Sequence, residues 1–175
     1  MDIIIYGSLH GSARRYAERL SEITGFDSVS FKEVKNVDCF NRIIYIGAIY
    51  AGGILGLKKI LSRISLNQKI LVATVGVTDP DDAEFVSNMK ALLETLLPPD
   101  LYDESRIFHL RGAIDYNKLG VIHRILMSML HSKTAKMPKE KLNAESRALV
   151  ETYGKKVDFI DFDKLNPIVR VIEMS

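Results

Sequence analysis

The sequence predicts an α/β fold: a doubly wound, five-stranded parallel sheet of order 2-1-3-4-5, with helices on both faces. Three observations predict it. Short apolar runs without polar alternation, such as Ile3-Ile4-Ile5 and Ile43-Ile44-Tyr45-Ile46, read as strands buried on both faces. Segments with apolar residues at helical spacing separate these runs. Strands joined by single helices require right-handed crossovers into a parallel sheet. The 175 residues, 47% hydrophobic and 26% charged, suit one soluble domain with a sizeable core. That domain is expected to span residues 1–175, with an insertion at about 112–141 and a tail at 158–175.

Each element has a local reason. Asp2 to Tyr6 reads as the first strand. Residues 12–24 read as a helix carrying Tyr16, Ala17, Leu20 and Ile23, and Gly25 is placed to end it. Asp27 to Phe31 is a short second strand, and Arg42 to Ile46 a third. A second helix is expected over about 53–64, on the stripe Ile54, Leu57, Ile60, Leu61 and Ile64. Lys69 to Val75 is the fourth strand. The third helix is expected over about 81–96, with Asp79 as its cap and Pro80 at its first position. Arg106 to Leu110 is the fifth strand, and a last amphipathic helix covers about 143–157. In the tail, Phe159, Ile160, Phe162, Ile168, Val169 and Val171 suggest docking on the domain, while Pro167 is expected to interrupt any helix there.

Composition excludes several classes. Cys39 is the only cysteine, so no disulfide forms within the chain, and a reducing cytoplasm is the expected setting. No CxxC pair or Cys/His cluster suggests a metal site. Asp2 and the lack of a basic leader argue against a signal peptide. No apolar stretch reaches the roughly 18 residues that a membrane-spanning helix needs. The net charge of +2 is nearly balanced, and no nucleic-acid partner is expected.

Three turns at one sheet edge carry the functional signal, because ligands of this architecture bind beyond the carboxyl ends of the strands. The first is Tyr6-Gly7-Ser8-Leu9-His10-Gly11-Ser12-Ala13. There Gly11 permits close approach of a ligand, the following helix offers free N–H groups, and Ser8 and Ser12 add hydroxyls. The turn also reads simply as a tight connection that caps a helix. The second is Gly47-Ala48-Ile49-Tyr50-Ala51-Gly52-Gly53, with one aromatic that could stack on a flat ligand. The third is Thr74-Val75-Gly76-Val77-Thr78-Asp79. Neither GxGxxG nor GxxxxGK[ST] occurs. The ends of strands one and three lack the carboxylates that a phosphoacceptor domain needs, so that reading is rejected.

These loops resemble those of the flavodoxin family, and the similarity covers the first two thirds of the chain. The resemblance implies non-covalent FMN, with redox chemistry at the flavin. Carried over by position, Ser8, Leu9, His10, Gly11, Ser12 and Ala13 would surround the phosphate. Ala48, Ile49, Tyr50, Ala51 and Gly52 would border the isoalloxazine, and Val75, Gly76, Val77 and Thr78 would close its other edge. Ala13 departs from the pattern, standing where the family usually has a hydroxyl. The lost hydrogen bond is worth roughly 1.5–3 kcal/mol. More narrowly, Arg111-Gly112-Ala113-Ile114-Asp115-Tyr116-Asn117-Lys118-Leu119 resembles the flavodoxin-type proteins related to quinone-dependent protoporphyrinogen oxidase.

The insertion adds an apolar set at helical spacing: Leu119, Val121, Ile122, Ile125, Leu126, Met129 and Leu130. Lys118, His123, Arg124, His131, Lys133, Lys136, Lys139 and Lys141 surround it. Three readings stay open: a core-packed helix with a solvated basic rim, a surface over 118–141 for a membrane or an apolar substrate, and a homodimer contact. The expected function is an FMN-binding oxidoreductase or electron-transfer protein, cytoplasmic or peripheral to the inner face of the membrane. Its partner would be a redox protein or a quinone. No protein side chain is assigned a catalytic role. The competing reading is a binding or interaction module of the same fold that has lost FMN.

Overall fold

Isoleucine-rich segments form the core of the sheet. The computed structural model describes residues 1–65 and 67–174. Along the chain β1 (Asp2–Gly7) is followed by α1 (Ser12–Thr24), β2 (Ser28–Ser30), β3 (Arg42–Tyr50), β4 (Gly53–Ile54) and α2 (Leu57–Leu61). Next come β5 (Lys69–Gly76), α3 (Ala83–Leu96), β6 (Ile107–Arg111), β7 (Ala113–Asp115) and α4 (Val121–Thr134). The chain then forms α5 (Ala144–Thr152), β8 (Lys156–Asp158) and α6 (Asn166–Met174). The parallel sheet runs β2-β1-β3-β5-β6, which is the expected 2-1-3-4-5 order once the two-residue β4 is left out of the count. Ile3 lies opposite Ile43, and Ile43 opposite Ile70, so branched side chains line up across the three central strands.

Alternation along each strand sends neighbouring side chains to opposite faces. On one face Ile4, Ile44, Ile46 and Leu71 pack against Tyr16, Ala17 and Leu20 of α1 and Ile168 and Ile172 of α6. On the other, Ile3, Ile5, Ile43, Tyr45 and Val72 pack against Leu57 and Ile60 of α2 and Leu93 of α3. The tail therefore docks on the domain. Pro167 is the second residue of α6, where its missing N–H has no intrahelical partner to lose, so it opens a helix instead of interrupting one. Ser175, at the end of that tail, and the Lys139 side chain lie outside the described residues.

Four further expectations need correction. The expected loop after strand three is largely strand. β3 pairs with β5 as far as Ala48, then folds back on β4, with Ile49 opposite Ile54 and Tyr50 opposite Gly53. Ala51 (φ 50°) and Gly52 (φ 74°) make the two-residue turn, both in the left-handed region that such hairpins require. The second helix accordingly begins only at Leu57, and Ile54 belongs to β4. The cap of α3 is Asp82, whose carboxylate accepts from Glu84 N (3.0 Å) and Phe85 N (3.1 Å); Asp79 instead accepts from Asp81 N within the preceding turn. Finally, α5 stops at Thr152, and the chain returns as β8, antiparallel to β7 with Ile114 opposite Val157.

Candidate functional site

The carboxyl ends of β1, β3 and β5 open on a cleft of about 190 Å³. The first turn contributes Ser8, Leu9, His10, Ser12 and Ala13, the hairpin Ala48, Ile49 and Tyr50, and the end of β5 Val75, Gly76 and Val77. The structure thus brings the three expected loops to one place. Four expected site residues do not line the cleft. Gly11 forms the cap of α1, Ala51 and Gly52 are the exposed hairpin turn, and Thr78 lines a neighbouring cavity.

The remaining wall comes from the segment after β6, which sequence reasoning assigned to an insertion and not to the site. Gly112, Ala113, Ile114, Leu119, His123, Leu126 and Met127 complete the lining. Gly112 N donates to Gly76 O at 2.6 Å, and Arg111 Nε donates to Val77 O at 3.0 Å, which ties this segment to the third loop. Gly112 allows this close approach: a Cβ there would crowd its neighbours, at 3.1 Å from Val75 Cγ1 and 3.2 Å from Ser12. α4 turns His123, Leu126, Met127, Leu130 and Thr134 inward, a set at helical spacing. Its other apolar residues face outward, with Val121 72%, Ile122 81% and Met129 67% exposed. Most of the expected apolar set is therefore not core-packed. Leu119 alone in that set is fully enclosed.

The first turn has the chemistry of an anion site at one end. No side chain caps α1, and Gly11 holds the cap position at φ 94°, which leaves the first-turn N–H groups and the positive end of the helix dipole facing the loop. Gly11 N donates to Ser8 Oγ at 3.1 Å, and the Ser8 hydroxyl keeps its own proton to donate. Ser12 departs from expectation. Its hydroxyl accepts from Ala113 N at 2.9 Å and donates to Ala113 O at 3.2 Å, so it fastens α1 to β7.

Three polar rings close the mouth. Tyr50 Oη and His123 Nε2 are 3.2 Å apart, and the His10 and His123 rings meet edge-on at 5.8 Å. Burial, and then the neighbouring His123, push the His10 imidazole below its ordinary value. None of the residues lining the cleft is acidic. Among the described residues no cluster of side chains could hold a metal ion, and no helix is long and apolar enough to cross a membrane.

A parallel sheet with a lined cleft at its switch point, an uncapped helix end and glycine-bearing turns defines a doubly wound α/β ligand-binding protein. A family model described as "Flavodoxin domain" matches residues 3–141, and the chain belongs to that family. The chain also matches solved structures. One is a candidate flavoprotein from Bacteroides eggerthii, 12% identical over 62% of this chain and 84% of that one, with a TM-score of 0.46. Another is flavodoxin 1 from Bacillus cereus, 12% identical over 63% and 83%, with a TM-score of 0.43. A third is a Fusobacterium nucleatum flavodoxin mutant bound to flavin mononucleotide, 13% identical over 65% and 76%, with a TM-score of 0.39. No curated protein matches the sequence.

Proposed function

We propose that this protein binds FMN non-covalently in the cleft and serves as an electron-transfer flavoprotein. Family membership supports the cofactor, and one observation of the structure supports the proposed position: an apolar slot ends on the uncapped first turn of α1. The residues fit the group. The first-turn N–H groups and the Ser8 hydroxyl suit a phosphate dianion, and Tyr50, Ile49, Val77 and Met127 suit a flat ring. FMN, when bound, supplies one- and two-electron redox chemistry. The chain's own contribution is to orient and enclose. Ile114, Leu119 and Met127 exclude water from one side, while Tyr50, His10 and His123 close the mouth.

The flavin-free reading rests on a specific observation, the Ser12 hydroxyl spent on Ala113 beside an Ala13 that has no hydroxyl to offer. Titration of the purified protein with FMN, followed by flavin fluorescence and absorbance, decides between the two. Saturable one-to-one uptake is expected; a colourless protein that takes up no FMN would exclude the cofactor reading. Redox titration of the loaded protein tests the environment as well. With no carboxylate in the lining and two histidines at the mouth, negative charge on the reduced ring meets no fixed repulsion. The midpoint potential for full reduction is expected to be less negative than that of an acidic flavodoxin, and a very low value would contradict this electrostatic account.

The acceptor we propose is an apolar, quinone-like molecule reached at an anionic bilayer surface. Val121, Ile122, Ile125 and Met129 face outward on the helix whose inner side lines the cleft, and Lys118, Arg124 and Lys133 lie exposed beside them. Co-sedimentation with vesicles should require anionic lipid and fail for Ile122→Asp. Equal binding to neutral vesicles, or dimerisation lost in the same variant, would remove this reading. Steady-state turnover with a quinone separates an oxidoreductase from a carrier.

A further inference from the structure

Beside the cleft lies a second cavity of about 220 Å³, which shares Ile49, Gly76, Val77 and Met127 with it. The proposed flavin site does not use its far wall. That wall combines Phe85 of α3, Leu130 of α4 and Leu149 of α5 with two polar side chains, Tyr116 and Glu145. We infer that this cavity is a binding site for a small hydroxylated aromatic molecule.

Two buried atoms carry the inference. The Tyr116 hydroxyl and Glu145 Oε2 are enclosed and have no hydrogen-bond partner among the described residues. Enclosed polar atoms of native proteins are nearly always paired, so two orphans in the lining of one cavity point to a missing partner. Tyr116 is only 6% exposed and is held firmly. Asp115 accepts from Asn117 N at 3.0 Å to fix its turn, and its ring meets Tyr153 edge-on at 5.2 Å. Its polar neighbour Thr152 donates to Ala148 O at 2.8 Å, and the two hydroxyls do not meet in hydrogen-bonding geometry.

The chemistry of the orphans selects the ligand. A carboxylate oxygen only accepts, so Glu145 requires a donor; a tyrosine hydroxyl both donates and accepts. A phenolic hydroxyl offers a donor and an acceptor, and its ring suits Phe85, Met127, Leu130 and Leu149. A purely apolar guest would leave both polar atoms unpaired, which penalises it relative to the hydroxylated one. The inference stands on this cavity alone and does not require that flavin fill the neighbouring cleft.

The test uses p-cresol and p-xylene, which have nearly the same shape and differ by the hydroxyl. Each is titrated into the full chain with ¹³C-labelled Met, Leu and Ile methyl groups, with and without FMN. We expect p-cresol to shift the Met127, Leu130 and Leu149 methyls saturably, and p-xylene to bind at least about tenfold more weakly. The Tyr116→Phe/Glu145→Leu double variant, checked as folded by its methyl spectrum, should bind both equally. No shift with p-cresol, equal binding of p-xylene to the unaltered protein, or a preference that survives in the double variant would each overturn the assignment. Flavin uptake is followed separately by fluorescence, so failure of either proposal leaves the other readable.

Discussion

Gly7→Ala is expected to destabilise the protein by about 3 kcal/mol, a loss of roughly 6–12 °C in melting temperature for a chain of this size. Gly7 ends β1, and a Cβ built there would overlap the Leu55 carbonyl oxygen and lie 2.8 Å from the Tyr45 hydroxyl. Neither neighbour can yield. The fully buried Tyr45 donates its hydroxyl to Leu55 O, and Leu55 N donates to Ala48 O at 2.9 Å, so that stretch of backbone is tied on both sides. Relief of the overlap must push Leu55 away from β1, and with it the hairpin that brings Ile49 and Tyr50 to the cleft. Gly120→Ala is the comparison, because nothing lies within 4 Å of a Cβ there and its φ of −60° suits any residue. It should change stability by no more than about 0.5 kcal/mol. Thermal unfolding of the two variants measures the difference, and equal melting temperatures would show that the hairpin is not pinned against β1.

That contact also explains why the hairpin escaped sequence reasoning while the sheet did not. The strands were legible because Ile3-Ile4-Ile5 and Ile43-Ile44-Tyr45-Ile46 are apolar on both faces, a pattern only enclosed strands carry. α1 was legible to its ends because Gly25, at φ 74°, is a C-terminal signal with a backbone cause. The hairpin has no such signature. Its turn is Ala51-Gly52 and not Asn-Gly or Asp-Gly, and its return strand is only two residues long. Long-range contacts hold it instead: Tyr45 donates to Leu55 O, and Ile54 packs in the core. Asp79, Asp81 and Asp82 illustrate a different limit: each is a competent cap by type, and Pro80 drew the choice to the wrong one.

The cleft was half legible for a related reason. Loops at strand ends are fixed by the sheet, so Ser8, Ala48, Tyr50 and Val77 could be placed by topology. The covering wall depends on which way α4 faces. Val121, Ile122, Ile125, Leu126, Met129 and Leu130 spread over two adjoining sides of the helix, and hydrophobicity alone does not choose between them. The fold selects the side that carries His123 and Met127, which leaves the more apolar side outside. A long-range pair such as Ser12 with Ala113 has no local signal at all.

Gly11→Val should lower FMN affinity by about two orders of magnitude while leaving the protein folded. Nothing among the described residues lies within 4 Å of a Cβ at Gly11, so the branched side chain projects into the open space beside the first turn of α1. An anion bound by the first-turn N–H groups must use that space. The substitution also strains the backbone, since φ is 94° there, at a cost of about 1–2 kcal/mol. Strain at a helix end could weaken binding indirectly, and Gly25→Val separates the two effects. Gly25 caps the other end of α1 at φ 74°, also with nothing within 4 Å of a Cβ, and it lies a whole helix away from the first-turn N–H groups. Both variants should lose similar stability in thermal unfolding, and only Gly11→Val should lose FMN in a fluorescence titration. Equal loss of FMN from both would trace the effect to the helix as a whole. Undiminished affinity in Gly11→Val would mean that the phosphate is not held at this turn.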